Sequence, residues 1–97
     1  MTNKQKAYND VVNYIFSDAI NGKEFSEDKI NRMLCYSIAR YNNDKRIINL
    51  RYDKTNKEEI KNSIVKEYTN ESTIRMASSI KRSFDSTNEK FGNEEDQ

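Results

Sequence analysis

The 97-residue sequence contains no proline, histidine or tryptophan, only two glycines, and a single cysteine. Without proline, nothing interrupts long helical hydrogen-bond ladders, which favours a mostly helical chain. Without histidine, the usual general acid–base side chain and the commonest metal ligand are both excluded. The single Cys35 excludes an intrachain disulfide, so a reducing, intracellular setting is favoured.

Long apolar runs are also absent. No run approaches the 18 residues of a membrane-spanning helix, and the start MTNKQKAYND has no signal-peptide core. The length predicts one domain, and the 34% apolar content predicts a small core. We therefore expect a soluble, cytoplasmic protein without a membrane partner.

The net charge of +1 conceals an uneven distribution. Residues 85–97 carry five acids and one lysine, whereas residues 1–84 carry 16 basic and 11 acidic groups. The pattern is that of a mildly basic body with a short acidic tail. It predicts one helical domain over residues 1–91 and a loose acidic tail over 92–97.

Apolar residues recur at helical spacing in four segments. Segment 1 covers about 4–20, and segment 2 begins at the N-cap Ser26. Segment 4 begins near Thr55, which has capping-box spacing to Glu58. Segment 5 covers about 71–90, with Thr69 or Asn70 as its cap and Gly92 as its end. The predicted inward stripes include Val11, Ile15, Ile30, Leu34, Ile38, Ile60, Ile64, Ile74, Ala77, Ile80 and Phe84.

Segment 3, residues 45–53, fits two structures. Ile48, Leu50 and Tyr52 alternate with polar residues, which is typical of a strand. Asp44 could instead cap a short helix over the same residues. Both possibilities stay open at this point.

The sequence offers little catalytic chemistry. Cys35 has no histidine to activate it, and neighbouring acids such as Glu58 and Glu59 do not face each other on a helix. No glycine-rich phosphate loop is present. We predict no enzymatic activity, no cofactor and no metal site.

Segment 5 carries a basic, hydroxyl-rich face opposite its apolar stripe, made of Arg75, Ser78, Ser79 and Arg82. Asn70, Ser72 and Thr73 lie at its start, where backbone amides attract phosphate. Arginines and small hydroxyls on one face suit phosphates and base edges, and no acid lies between Ser72 and Ser83. This face favours nucleic acid over a merely solvated surface.

Two stretches, KRIINLRYDKTNKEEI and ESTIRMASSIKRSF, together resemble the C-terminal helix-turn-helix of sigma factors and sigma-like phage regulators. The resemblance covers residues 44–84. It implies a support helix near EEI followed by a recognition helix. It also implies that the major groove is faced by Ser72, Thr73, Arg75, Ser78 and Arg82.

Residues 46–86 also resemble ribbon-helix-helix repressors, with IINLRYD as the strand. That resemblance implies a homodimer, in which Ile47, Asn49 and Arg51 enter the major groove as half of a two-stranded ribbon. A winged helix with one wing strand in segment 3 is a third architecture.

We therefore predict a mostly α, single-domain helical bundle with a helix-turn-helix-like or winged unit; the alternative is a ribbon-helix-helix dimer with an N-terminal helical extension. The predicted function is non-enzymatic binding of double-stranded DNA, as a homodimeric transcription regulator or a DNA-processing factor of a phage or plasmid. The candidate contacts are Lys45, Arg46, Asn49, Arg51, Lys54, Asn70, Ser72, Thr73, Arg75, Ser78, Ser79, Lys81 and Arg82.

The alternative function is a small protein-binding inhibitor of a host enzyme, encoded by a mobile element. Six tyrosines and four phenylalanines could supply an aromatic contact patch. Tyr14, Tyr36 and Phe25 lie off the main stripes, where they could be exposed or could widen the small core.

Overall fold

The computed structural model describes residues 1–18, 24–53 and 55–95, and within these ranges it contains five helices and no strand. The predicted mostly helical, single bundle is confirmed. No helix in these ranges has the length and apolar character needed to cross a membrane. The helices are α1 (Asn3–Asp18), α2 (Glu27–Tyr41), α3 (Lys45–Tyr52), α4 (Lys57–Tyr68) and α5 (Glu71–Glu95).

The main core lies between α1, α2 and α5. Phe84 is 1% exposed and makes edge-to-face contacts with Phe25 and Phe16, with ring centroids 5.7 and 6.2 Å apart. Such aromatic pairs add to the stabilisation that comes from burial. The predicted inward stripes of these helices meet here, and the buried members are Val11, Ile15, Phe25, Ile30, Leu34, Ala77, Ile80 and Phe84.

A second core lies between the C-terminal half of α2 and helices α3 and α4. Its fully buried members are Cys35, Ala39 and Ile64. Burial raises the pKa of the Cys35 thiol, because the low-polarity surroundings disfavour the thiolate. Partly buried side chains pack around these three, namely Tyr36, Ile47, Leu50, Ile60, Val65 and Tyr68. Helix α2 therefore belongs to both cores.

Three predicted helix caps are confirmed. The backbone amide of Lys29 donates to Ser26 Oγ at 3.1 Å at the start of α2. The amide of Arg46 donates to Asp44 Oδ1 at 3.0 Å at the start of α3. At the start of α5, the Thr73 amide donates to Asn70 at 3.0 Å, and the Asn70 amide donates back to Thr73 Oγ1. Each cap satisfies a backbone amide that the helix itself leaves unpaired.

Segment 3 is helix α3, so the strand prediction for residues 45–53 is wrong. The Asp44 cap starts the helix, and Ile47 and Leu50 turn toward the second core. Strand alternation would have grouped Ile48 and Tyr52 with Leu50, but both are exposed. Neither the ribbon alternative nor a wing in segment 3 has its strand in the described part of the chain.

The predicted capping box between Thr55 and Glu58 is also not formed. The N-cap of α4 is Asn56, which makes no side-chain capping bond. Asp53 Oδ1 instead accepts hydrogen bonds from the amide and hydroxyl of Thr55. Thr55 is thereby held in the turn before α4, where it cannot cap the helix.

One prediction of side-chain placement is corrected, at Ile74, and one alternative that the sequence left open is decided, at Phe25. Ile74 was expected to point inward but is 49% exposed, and Thr73 is buried in its place because it completes the α5 cap. Phe25, which could have been exposed, is 1% exposed and packs on Phe84. The buried stripe of α5 therefore begins with a threonine.

Helix α5 continues through Gly92 to Glu95, across the predicted boundary between body and tail. A glycine inside a helix costs about 1 kcal/mol relative to alanine, which does not by itself end a helix. No proline follows to stop it. Gly92 is therefore an interior residue of α5.

Candidate nucleic-acid interface

The residues predicted on segment 3 divide into two groups. Lys45, Asn49 and Arg51 are exposed on α3. Arg46 is partly buried, and its guanidinium pairs with acidic side chains of the protein itself. Lys54 lies outside the described residues. Helix α3 carries no acidic side chain, so its exposed surface is positive.

Arg46 is held by two carboxylates and a hydroxyl. Its Nη2 lies 2.6 Å from Asp44 Oδ2 and also pairs with Glu67, and its Nη1 donates to Ser63 Oγ at 3.0 Å. Tyr68 Oη donates to the same Asp44 carboxylate at 2.8 Å. These bonds hold the pKa of Asp44 well below its usual range. Arg46 therefore links α3 to α4, and its guanidinium is already occupied by contacts within the protein.

Only some of the DNA-contacting residues predicted on α5 are free to bind a ligand. Thr73 is fully buried, so it cannot reach a ligand. Lys81 pairs with Asp85 at 3.1 Å, and Arg75 pairs with Glu71 at 3.6 Å. Arg82 is exposed, and Asn70 is the helix cap described above. Ser72, Ser78 and Ser79 are partly buried.

A groove of about 610 Å³ at the start of α5 brings several predicted residues together. Asn70, Ser72 and Arg75 line it beside Lys4 of α1. Glu71 lines it as well and offsets one of its two cations. This groove therefore has little net positive charge.

A second groove, of about 530 Å³, has a stronger charge. Tyr36 and Arg40 come from α2, Ile47, Leu50 and Arg51 from α3, and Lys61 from α4. We call it the cationic groove. Three cations from three helices line it around an apolar floor, and no acid is among its lining residues. Its charge thus exceeds that of the groove at α5.

The cations of the cationic groove have few ion-pair partners in the part of the chain that the structure describes. Arg40 and Arg51 have no carboxylate within 4 Å in the described ranges, and Lys61 lies 3.9 Å from Glu58, at the limit of an ion pair. One turn before Tyr36 on α2, Arg32 donates to Tyr36 Oη at 3.2 Å and to Asn62 Oδ1 at 3.4 Å. A fourth cation therefore lies beside the groove.

Only Arg51 of the cationic groove was among the residues predicted from the sequence. Arg40 and Lys61 were missed, and Tyr36 was named only as a possible aromatic contact for a protein partner. The signal on α2 is visible in the sequence, since Arg32, Tyr36 and Arg40 follow one another at intervals of four and share one helical face. Lys61 has no comparable signal, because only the packing of α4 on α2 brings it to this face.

Helices α3 and α5 pack on different parts of α2. Helix α3 contacts α2 and α4, whereas α5 contacts α2 and α1. Helices α4 and α5 are joined by two residues, of which Thr69 accepts a hydrogen bond from Asn31 Nδ2 at 2.9 Å. The main packing partner of both α4 and α5 is α2.

No group of three acidic or cysteine side chains suited to a metal ion occurs in the ranges that the structure covers. No protein-family model, curated protein or solved structure matches this chain.

Proposed function

We propose that this protein is a non-enzymatic DNA-binding protein that contacts phosphates through the cationic groove. The observation that carries the proposal is the convergence of Arg40, Arg51 and Lys61 on one concave surface without an acid among its lining residues. Phosphate contacts by arginine and lysine supply most of the affinity of non-specific DNA binding. The exposed Lys45 and Asn49 on the neighbouring helix α3 extend the surface available to DNA.

The proposed phosphate contacts lie on α2, α3 and α4, whereas most of the candidate contacts predicted from the sequence lie on α5. A recognition helix in α5 would rely on Arg75 and Arg82, and Arg75 already pairs with Glu71. If α4 and α5 acted as a helix-turn-helix, DNA would also contact the groove at the start of α5. A role as a regulator or accessory factor of a mobile element, and a homodimeric state, belong to the same proposal by analogy alone.

Binding to DNA should weaken steeply with salt. Three phosphate contacts predict a slope of log K against log salt of about −3 on duplex DNA, since each contact contributes about −0.9. Fluorescence anisotropy of a labelled random duplex between low and moderate salt measures this slope. A flat response at all salt concentrations would rule out the proposal.

Single substitutions separate the two grooves. We expect Arg51→Ala to lower affinity about tenfold at low salt and to reduce the slope by about 1. Lys66→Ala is the matched control, because Lys66 is exposed on α4 and does not line either groove. If Arg75→Ala lowers affinity and Arg51→Ala does not, the contact is the α5 groove.

A second candidate function is binding of a protein partner, such as a host enzyme. Ile48 and Tyr52 are one turn apart on α3 and are 56% and 81% exposed, an unusual pair for a small domain. A partner captured by the wild type and lost in Tyr52→Ala, but retained in Arg51→Ala, would favour this candidate over DNA.

A further inference from the structure

We infer that the DNA bound in the cationic groove is single-stranded, with one unpaired base held in an adjoining pocket between α1 and α2. This inference rests on the proposed function and specifies its ligand. The adjoining pocket, which we call the side pocket, has a volume of about 310 Å³. Its lining includes Tyr14, Met33, Tyr36, Ser37 and Arg40.

The side pocket and the cationic groove are neighbours on one surface. Tyr36 and Arg40 line both of them. A strand with its phosphates on Arg40, Arg51 and Lys61 therefore passes the mouth of the side pocket. The negative phosphates of the strand pair with the cations of the groove. Because each base is attached to this backbone, the bases then lie next to the side pocket.

The chemistry of the side pocket suits a planar, partly polar ring. Tyr14 is about half exposed and Tyr36 partly exposed, so aromatic surface is available for stacking. Met33 and Val11 add apolar contact. A volume of about 310 Å³ is at the lower end of the range for small-ligand pockets, so a single base can enter it.

Two polar side chains, Ser37 and Asp10, line the side pocket as well. Ser37 is 6% exposed, and its Oγ has no hydrogen-bond partner among the described atoms. Asp10 accepts a hydrogen bond from Tyr41. An amino group of a base can donate to the Asp10 carboxylate, whereas Ser37 Oγ is too buried to be reached from the pocket.

Duplex DNA can place its phosphates on the three cations, but it cannot place a base in the side pocket. Its bases are stacked and paired inside the helix, and only phosphates and groove edges are accessible. A single strand can place its phosphates on the cations and turn a base toward apolar and aromatic surface, as proteins that bind single strands do.

The test compares three labelled probes of equal length by fluorescence anisotropy at low salt. They are a mixed-sequence single strand, the duplex of the same sequence, and a single strand of abasic sites. The abasic strand keeps the phosphates and lacks the bases. We expect the single strand to bind about tenfold more tightly than the abasic strand, because one stacked base accounts for a difference of this size. It should also bind more tightly than the duplex.

Variants locate the base. Tyr14→Leu should lower affinity for the single strand to the abasic level and leave abasic binding unchanged, because Tyr14 lines the side pocket and not the cationic groove. Tyr14→Phe should restore the affinity. If Tyr14→Leu does not fold, Tyr36→Leu serves instead; because Tyr36 lines both the side pocket and the cationic groove, its loss of single-strand affinity is then compared with its loss of abasic-strand affinity. Tyr52→Leu is the control, because Tyr52 is exposed on α3 and lines neither the groove nor the pocket.

The outcomes distinguish this inference from the proposed function. Equal binding of the single and abasic strands, or tighter binding of the duplex, overturns the inference while salt-dependent DNA binding still stands. Unchanged single-strand affinity in both Tyr36→Leu and Tyr14→Leu overturns it as well. Absence of binding to all three probes overturns the proposed function and the inference with it.

Discussion

Replacing Phe84 with alanine is expected to lower the free energy of unfolding by about 3–5 kcal/mol, the usual cost of removing a buried phenylalanine. Phe84 is 1% exposed and contacts Phe25 of the segment before α2 and Phe16 of α1. Its loss leaves a cavity where α1, α2 and α5 meet. Domains of this size have a total stability of about 5–15 kcal/mol, so the variant should be close to unfolding.

Urea unfolding followed by circular dichroism measures this change. The matched control is Tyr52→Ala, which also removes a large aromatic side chain but from an exposed position, and it should change stability by no more than about 0.5 kcal/mol. A loss below about 1 kcal/mol in Phe84→Ala would mean that the main core is not packed as described.

Replacing Asp44 with alanine is expected to cost about 2–3 kcal/mol, because one side chain serves three contacts. It caps α3, it pairs with Arg46, and it accepts the hydroxyl of Tyr68. Asp44→Asn keeps a capping oxygen and removes the charge, so it should cost less. Glu67→Gln is the matched control: Glu67 pairs with the same Arg46 but is 58% exposed, so its loss should cost less than about 1 kcal/mol.

The Asp44 contribution should also depend on pH. Its carboxyl has a lowered pKa in the folded protein because Arg46 stabilises the charged form. The contribution is therefore complete above the unfolded-state pKa of about 3.9 and is lost as the pH falls below it. The difference in stability between wild type and Asp44→Asn should be constant from pH 7 to about 5 and should shrink below about 4. A difference that stays constant down to pH 2 would contradict the assignment.

Local signals in the sequence predicted the helices and most of their starts. Ser26, Asp44 and Asn70 act through a side chain and an amide two or three residues away, so no tertiary information is needed to recognise them. The inward stripes of α1 and α2 were predictable for the same reason. The exceptions are instructive: at Ile74 and Thr73, the capping bond decided which neighbour is buried, and hydrophobicity did not.

The candidate site was less predictable than the fold. Arg46 and Arg51 are equally basic in the sequence, but Asp44 and Glu67 bind the first and leave the second exposed. Which charge is neutralised depends on how α3 lies on α4. The cationic groove combines side chains from three helices, so Lys61 joins Arg40 only after the chain has folded.

The sharing of α2 between two cores has a consequence for cooperativity. Neither core can come apart without removing the support of α2, so the chain is expected to unfold as a single unit. Helix α3 is the exception, because it has no fully buried side chain. Its local opening should require less free energy than global unfolding. One wall of the cationic groove can therefore detach briefly while the other two, on α2 and α4, stay in place.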